Sequence, residues 1–295
     1  MSLPKDQREI LYYSILPSTI LSLLGTIFVA LLYTLFISLQ KFPFKIVFIL
    51  SVFDLFHSIG FLIPTYNSTG SDLACQLQAG FLQFFTIGSV LWTSFIALSL
   101  YQIIVKSSSF TERNLKYFLI TILIICFIST LIPYLNNSFG LVAGWCWIKQ
   151  STKSFNYVFY ERYFFFFIPI WCIIISNVLM YCKVSLTVKN TSIDNRTIRS
   201  LNKKLKFYPI ILVLCFLPYT IKSILELLNE PFFIKHKFEL TIIAGVCRTS
   251  IGFFNGVVYG LTKRVRNSIR LLFVGSQRNT SEIGILIKSV EQFKA

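Results

Sequence analysis

The sequence predicts an all-α membrane protein, a seven-transmembrane-helix bundle with its N-terminus outside. Three observations carry that expectation: seven apolar runs of spanning length, a lopsided distribution of Lys and Arg between the segments joining them, and a composition unsuited to a water-facing surface. Hydrophobic residues make up 55% of the 295 residues and charged ones only 14%, with 31 Phe and 14 Tyr. A soluble fold of this size needs more surface charge and could not hide so many rings, whereas a bilayer accepts them.

A membrane helix needs about 20 apolar residues to cross roughly 30 Å of hydrocarbon. Runs of that kind cover Ile10 to Leu39, Phe44 to Tyr66, Leu77 to Val105, Tyr117 to Tyr134, Tyr163 to Cys182, Phe207 to Leu228 and Phe238 to Thr262. The first is too long for a secretory h-region and no small-residue cleavage site follows it, so it is expected to insert as a signal anchor.

Cations in short loops stay preferentially on the cytoplasmic side. With the N-terminus outside, the outer segments hold only Lys5, Arg8, Lys149, Lys153, Arg162, Lys235 and Lys237. The inner segments hold most of the remainder, including Lys41, Lys45, Arg113, Lys116, Lys183, Lys203, Lys204, Lys206 and the run from Lys263 to Arg270. The formal charge of +16 therefore suits an anionic inner leaflet. Nucleic acid is not an expected partner, because the cations lie between apolar runs rather than on one folded polar face.

Two further features agree with this orientation. The sequons at Asn67 and Asn136 both fall in segments assigned outside, where glycans are added. Of seven cysteines, only Cys75 and Cys146 are assigned outside, which makes them a candidate disulfide in an oxidising compartment; the alternative is two free thiols.

From Cys75 through the fifth span the chain resembles the cyclic AMP receptor family first known from slime moulds, a branch of the G-protein-coupled receptors. The resemblance is carried by Leu91-Trp92-Thr93, Ala97-Leu98-Ser99-Leu100-Tyr101, Ile104-Val105-Lys106, Glu112-Arg113 ahead of Lys116-Tyr117, Gly144-Trp145-Cys146-Trp147-Ile148, Phe159-Tyr160 and Pro169-Ile170-Trp171. It implies that Cys146 is the outer-loop partner of Cys75. Three shorter segments are similar to the rhodopsin-type branch: Leu50 to Leu55 around Asp54, Cys215 to Tyr219 around Pro218, and Asn255 to Tyr259. The third span, however, ends in Tyr101-Gln102-Ile103-Ile104 without that branch's acidic-Arg-Tyr triplet. The resemblance implies a receptor domain over residues 1–273, a heterotrimeric G protein as partner, and Arg113, Lys116, Lys203, Lys204 and Lys206 as residues facing it; the segment 274–295 is expected to be a short cytoplasmic tail, unlike the long Ser/Thr-rich tails of that family.

Ionisable groups inside a bilayer cost roughly 2.5 to 3.5 kcal/mol at mid-membrane on insertion scales, so each calls for a reason. Asp54 and His57 lie one turn apart in the second span. They form either a polar switch or cation site facing Asn255 or a structural cluster joining the second and seventh spans. Pro218 and Tyr259 complete the candidate switch. A metal is not expected, because His57 has no second His nearby.

Lys222 and Arg248 fall at matched depth, roughly 10 to 13 Å below the outer ends of adjacent spans at 1.5 Å per residue. Such a pair suits an extracellular anion, a cyclic nucleotide among them; alternatively Glu226, one turn above Lys222, neutralises it while Arg248 shares that carboxylate or snorkels upward. Trp145, Trp147 and Arg162 are expected at the rim of the same outer cavity. After the seventh span, Lys263 to Phe273 places Val265, Ile269, Leu272 and Phe273 on one face opposite cations, an amphipathic helix for the inner membrane surface.

No covalent chemistry and no cofactor are expected. A retinal-bearing bundle needs a Lys midway along its last span, and Leu240 to Thr262 contain none. The expected function is thus a multi-pass cell-membrane receptor for an extracellular small molecule. The competing class is a channel or carrier with an intramembrane polar pathway, since lone buried charges also mark transport paths.

Overall fold

The computed structural model describes residues 3–107, 112–149, 157–190, 207–228 and 231–260, together with residues 262, 265–267 and 270. Seven helices in it are long and apolar enough to cross a membrane: Lys5–Leu35, Phe42–Leu62, Leu73–Ile104, Asn114–Leu135, Val158–Lys189, Pro209–Leu227 and Lys237–Gly260. These are the first to seventh spans below. The fourth and fifth run beyond the apolar limits read from the sequence at both ends, because helical hydrogen bonding continues into the polar interface where hydropathy already falls; the first, second, third and seventh begin earlier and stop short of them, and the sixth is shorter at both ends.

The third span is the axis of the bundle. Trp92 is fully buried there and donates its Nε1–H to the carbonyl of Ile46 in the second span at 2.7 Å, satisfying the indole inside lipid. The fourth span lies at the edge, with Ile120, Ile124, Phe127 and Ile128 exposed for lipid. The first and seventh spans approach backbone to backbone, since a Cβ added to Gly256 would stand 2.9 Å from the Gly25 carbonyl oxygen. Without a hydrophobic drive between helices in lipid, such close van der Waals packing holds them together.

Three local departures from regular helix position the half of the bundle that holds Cys75. Pro218 sits inside the sixth span, where its missing N–H interrupts the hydrogen-bond ladder. Tyr163–Phe167 forms one π-helical turn in the fifth span. That wider turn frees a carbonyl, and Gln83 of the third span fills the gap by donating Nε2–H to the Phe165 oxygen at 3.2 Å.

The third departure lies between the fourth and fifth spans, where two short strands, β1 (Phe139–Val142) and β2 (Trp145–Ile148), pair antiparallel. The register places Phe139 opposite Ile148 and Val142 opposite Trp145, with the turn at Ala143 (φ 57°) and Gly144. A Cβ at Gly144 would collide with the end of the Leu11 side chain of the first span, so a larger residue there requires Leu11 to shift. All four β2 residues are buried. The hairpin therefore sits in the mouth of the bundle and caps it.

Candidate functional site

Cys146 in the middle of β2 is disulfide-bonded to Cys75 in the first turn of the third span. Gln78, one turn further along that span, fixes the same strand by accepting the Cys146 N–H at 2.6 Å. Asp72 caps the helix that carries Cys75 by accepting its backbone N–H at 3.3 Å. A hydrogen bond from the Ser68 hydroxyl, reinforced by nearby backbone amides, holds the Asp72 carboxyl below the usual carboxylate range against a small opposing effect of burial.

This anchoring changes where the two loop tryptophans lie. Interfacial aromatic residues are expected at a rim, yet Trp145 is 1% exposed and Trp147 0%. Trp147 donates its Nε1–H to Gln83 at 2.9 Å and meets Phe166 edge-on at 4.4 Å. Trp145 packs on Phe61 of the second span and Tyr219 of the sixth, with no acceptor for its own Nε1–H.

Arg162 also moves inward relative to the sequence reading, which assigned it to an outer segment. The fifth span begins at Val158, one turn before it, so Arg162 is a helical residue 1% exposed. Its Nη2–H groups face the hydroxyls of Tyr219 at 3.4 Å and Ser223 at 3.3 Å, Nη1–H donates to the Ile148 carbonyl at 3.4 Å, and Nε–H has no acceptor. The guanidinium lies 4.9 Å from the Trp147 ring.

Arg248 approaches the same ring from the seventh span. It is 1% exposed and surrounded by Trp147, Phe166 and Tyr219 at 5.1, 4.8 and 4.7 Å from its guanidinium carbon. Nη2–H donates to the Thr86 hydroxyl at 3.3 Å, while Nε and Nη1 have no hydrogen-bond partner. It neither snorkels nor shares a carboxylate. Lys222, by contrast, is ion-paired with Glu226 at 2.6 Å, one helical turn away. Among the described residues no carboxylate stands within ion-pairing distance of Arg162 or Arg248. The two cations left to face one centre are thus Arg162 and Arg248, rather than Lys222 and Arg248.

Deeper in the bundle Asp54 is 0% exposed and fully engaged. Ser89 donates to its Oδ1 at 2.6 Å and Asn255 Nδ2–H to its Oδ2 at 2.7 Å, joining the second, third and seventh spans. His57, one turn above, is 2% exposed and has no hydrogen-bond partner at either ring nitrogen; it meets Phe61 edge-on at 5.1 Å. Tyr259 is buried against Phe44, its hydroxyl without a partner.

The remaining sequence candidates lie at the two surfaces. Asn67 is exposed, and Asn136, also exposed, donates its side-chain N–H to the buried Glu161 carboxylate. Lys116 is exposed beside Asn114, the first residue of the fourth span; the Arg113 side chain, Lys203, Lys204 and Lys206 lie outside the described residues, as does most of the segment from Lys263 to Phe273. Val265 of that segment is helical and buried.

The comparisons with known proteins agree with this architecture. Residues 4–277 match the family model described as slime mold cyclic AMP receptor. Among curated proteins, the chain is 30% identical over 262 residues to G-protein coupled receptor 1 of Arabidopsis thaliana, covering 84% of this chain and 77% of that one. It is 28% identical to cyclic AMP receptor-like protein A of Dictyostelium discoideum, covering 88% of this chain and 66% of that one. With cyclic AMP receptor 2 of Dictyostelium discoideum it shares 25% identity over 60% of its own length and 47% of that receptor's, so it spans about half of that relative. Squid rhodopsin matches in fold, with a TM-score of 0.76 over 94% of this chain and 88% of that one at 15% identity. These relatives are receptors rather than enzymes, and this multi-pass membrane protein belongs to the slime mold cyclic AMP receptor family of seven-helix receptors.

Proposed function

We propose that this receptor binds a small extracellular anion between Arg162 and Arg248, with the hairpin side outside at the cell membrane, and signals to a heterotrimeric G protein within. One observation carries the ligand reading: two guanidiniums converge on Trp147 and Tyr219 with no carboxylate in ion-pairing distance among the described residues, the Glu226 charge acting on Arg162 only from further off. Burying an ion costs several kcal/mol even after relaxation. Three ring faces and neighbouring hydroxyls offset much of that charge for Arg248, but they leave its Nε and Nη1 donors without an acceptor. A phosphate or carboxylate supplies charge-assisted acceptors to the unpaired N–H groups. Cyclic AMP is a candidate because relatives of the chain bear its name; Trp145, Lys222 and Glu226 complete the surroundings of the site.

Tyr219 gives the site a route to the inner face. It accepts from Arg162, lies under Arg248 and follows Pro218, where the sixth span lacks one ladder hydrogen bond. An anion drawing the two arginines together bears on that hinge, and any ligand that prefers one setting of the sixth span shifts the population toward it. At the end away from the hairpin, the fifth and sixth spans leave an apolar groove of about 370 Å³ lined by Val178, Cys182, Pro209 and Ile210, which gives the sixth span room to move. Asp54, His57, Asn255 and Tyr259 are the residues through which that movement passes, and Arg113, Lys116, Lys203, Lys204 and Lys206 face the G protein. Asn67 and Asn136 are the glycan acceptors.

The test is G-protein dissociation in cells expressing the receptor, with cyclic nucleotides compared against other small anions. Arg248→Glu and Arg162→Glu are expected to abolish the response at normal surface expression; an unchanged response removes the reading. Silence toward every anion together with measured ion flux favours the channel or carrier alternative.

A further inference from the structure

The hairpin that caps the bundle also occupies the groups that an anion would use. Trp147 reaches the third, fifth, sixth and seventh spans at once, through Gln83, Arg162, Tyr219 and Arg248. Its indole stands 4.9 Å from one guanidinium carbon and 5.1 Å from the other, so the space facing both cations is filled by the ring itself. The fit is incomplete. The hairpin shields Arg248 Nε, Arg248 Nη1 and Arg162 Nε from water without offering them an acceptor, and it buries its own Trp145 Nε1–H without one.

Resting on the anion reading above, we propose that the β1–β2 hairpin is an intramolecular competitor: the Trp147 ring stands in for the counter-ion and keeps the site closed until an anionic ligand displaces it. The ring quadrupole provides a partial counter-charge without a full negative charge, which stabilises the closed site while leaving an advantage to a true anion. The disulfide through Cys146 holds Trp147 one residue from a fixed point on the third span. The competitor therefore acts at a high effective concentration and cannot leave, only withdraw. Apparent ligand affinity falls by the fraction of time the hairpin is open. Receptor sensitivity is then set by the hairpin as well as by the arginines.

The test reads access to the site directly and needs no identified ligand. Ser223, which receives the Arg162 Nη2–H, is replaced by cysteine in the full receptor. Labelling by an anionic methanethiosulfonate reagent carrying a sulfonate and by a cationic one carrying a trimethylammonium group is followed over the Ser223 parent, whose native thiols set the background. In either case the thiolate attacks the reagent sulfur, a mixed disulfide forms and methanesulfinate leaves. S223C alone is expected to react slowly, and S223C with Trp147→Ala at least about tenfold faster, the reciprocal of a site open less than a tenth of the time. Once the ring is gone, the sulfonate reagent is expected to outrun the trimethylammonium reagent. Equal rates with and without Trp147 overturn the competitor; faster access with a preference for the cationic reagent overturns the anion reading while leaving the plug in place. Should Trp147→Ala fail to reach the surface, Gln83→Leu, which removes the acceptor of the indole N–H together with the donor to the Phe165 carbonyl, is expected to speed labelling in the same direction, and an unchanged rate there rejects the proposal.

Discussion

Two buried polar regions of this bundle solve the same problem differently. Around Asp54, every carboxylate oxygen has a donor, and the donors come from the third and seventh spans. Around Trp147, two guanidiniums have rings, hydroxyls and one carbonyl for company and keep three nitrogens unpartnered. In lipid an unsatisfied polar group costs several kcal/mol, so a complete network tightens the fold, and an incomplete one of this size is the feature on which the proposed anion site rests. The difference teaches how to read lone intramembrane charges: their meaning lies in whether neighbours have already answered them. Lys222 illustrates the answered case, since Glu226 pairs with it.

The largest effect expected on this contrast comes from removing the tether that holds the incomplete region closed. Cys146→Ser is expected to cost about 2 to 5 kcal/mol of stability, read as a loss of surface-expressed receptor or a lowered unfolding temperature in detergent. Asp54→Leu comes next. It removes the acceptor of two hydrogen bonds and leaves Ser89 and Asn255 unpaired, for a loss of about 2 to 4 kcal/mol in thermal unfolding, with Asp54→Asn milder.

Arg248→Met is expected to behave in the opposite sense. Replacing a buried cation that has no counter-ion among the described residues by an apolar chain of similar length is neutral or stabilising by about 1 kcal/mol, while the response to anions disappears. A loss of stability comparable to that of Asp54→Leu breaks the contrast between the two regions. The smallest effect concerns pH. The Asp72 carboxyl is held below its ordinary value by Ser68, so its cap is fully formed above that value and is lost only as the pH falls through the depressed range. Unfolding curves of wild type and Asp72→Asn are expected to converge at acid pH and separate above it.

The spans were legible because lipid imposes one simple requirement, a charge-free apolar run of fixed length. Arg162 was not, since a hydropathy reading takes a cation beside Glu161 for loop, although the helix continues through it and Ser223, Tyr219 and Trp147 receive it. The site's polar framework was equally hard to see. Gln78, Gln83, Thr86 and Ser89 are uncharged and sit singly in an apolar run, so their roles appear only when another span brings a partner. Tyr219 lies beside Pro218 in the segment Cys215 to Tyr219, which carries no signal that it meets both arginines. The hairpin was hidden for a different reason. Strand pairing needs only four residues on each side here, and the Gly144 to Ile148 segment reads as an interfacial aromatic cluster until the bond to Cys75 draws it inward.

The most direct measurement is the thermal unfolding of purified receptor with and without millimolar cyclic AMP or pyrophosphate at matched ionic strength, for wild type and Arg248→Met side by side. Binding to the folded state alone raises the unfolding temperature by mass action. A rise in wild type that vanishes in Arg248→Met, with the ligand-free variant at least as stable as wild type, is the predicted result. An equal rise in both, or a ligand-free variant that unfolds well below wild type, contradicts the assignment of Arg248 to an anion site.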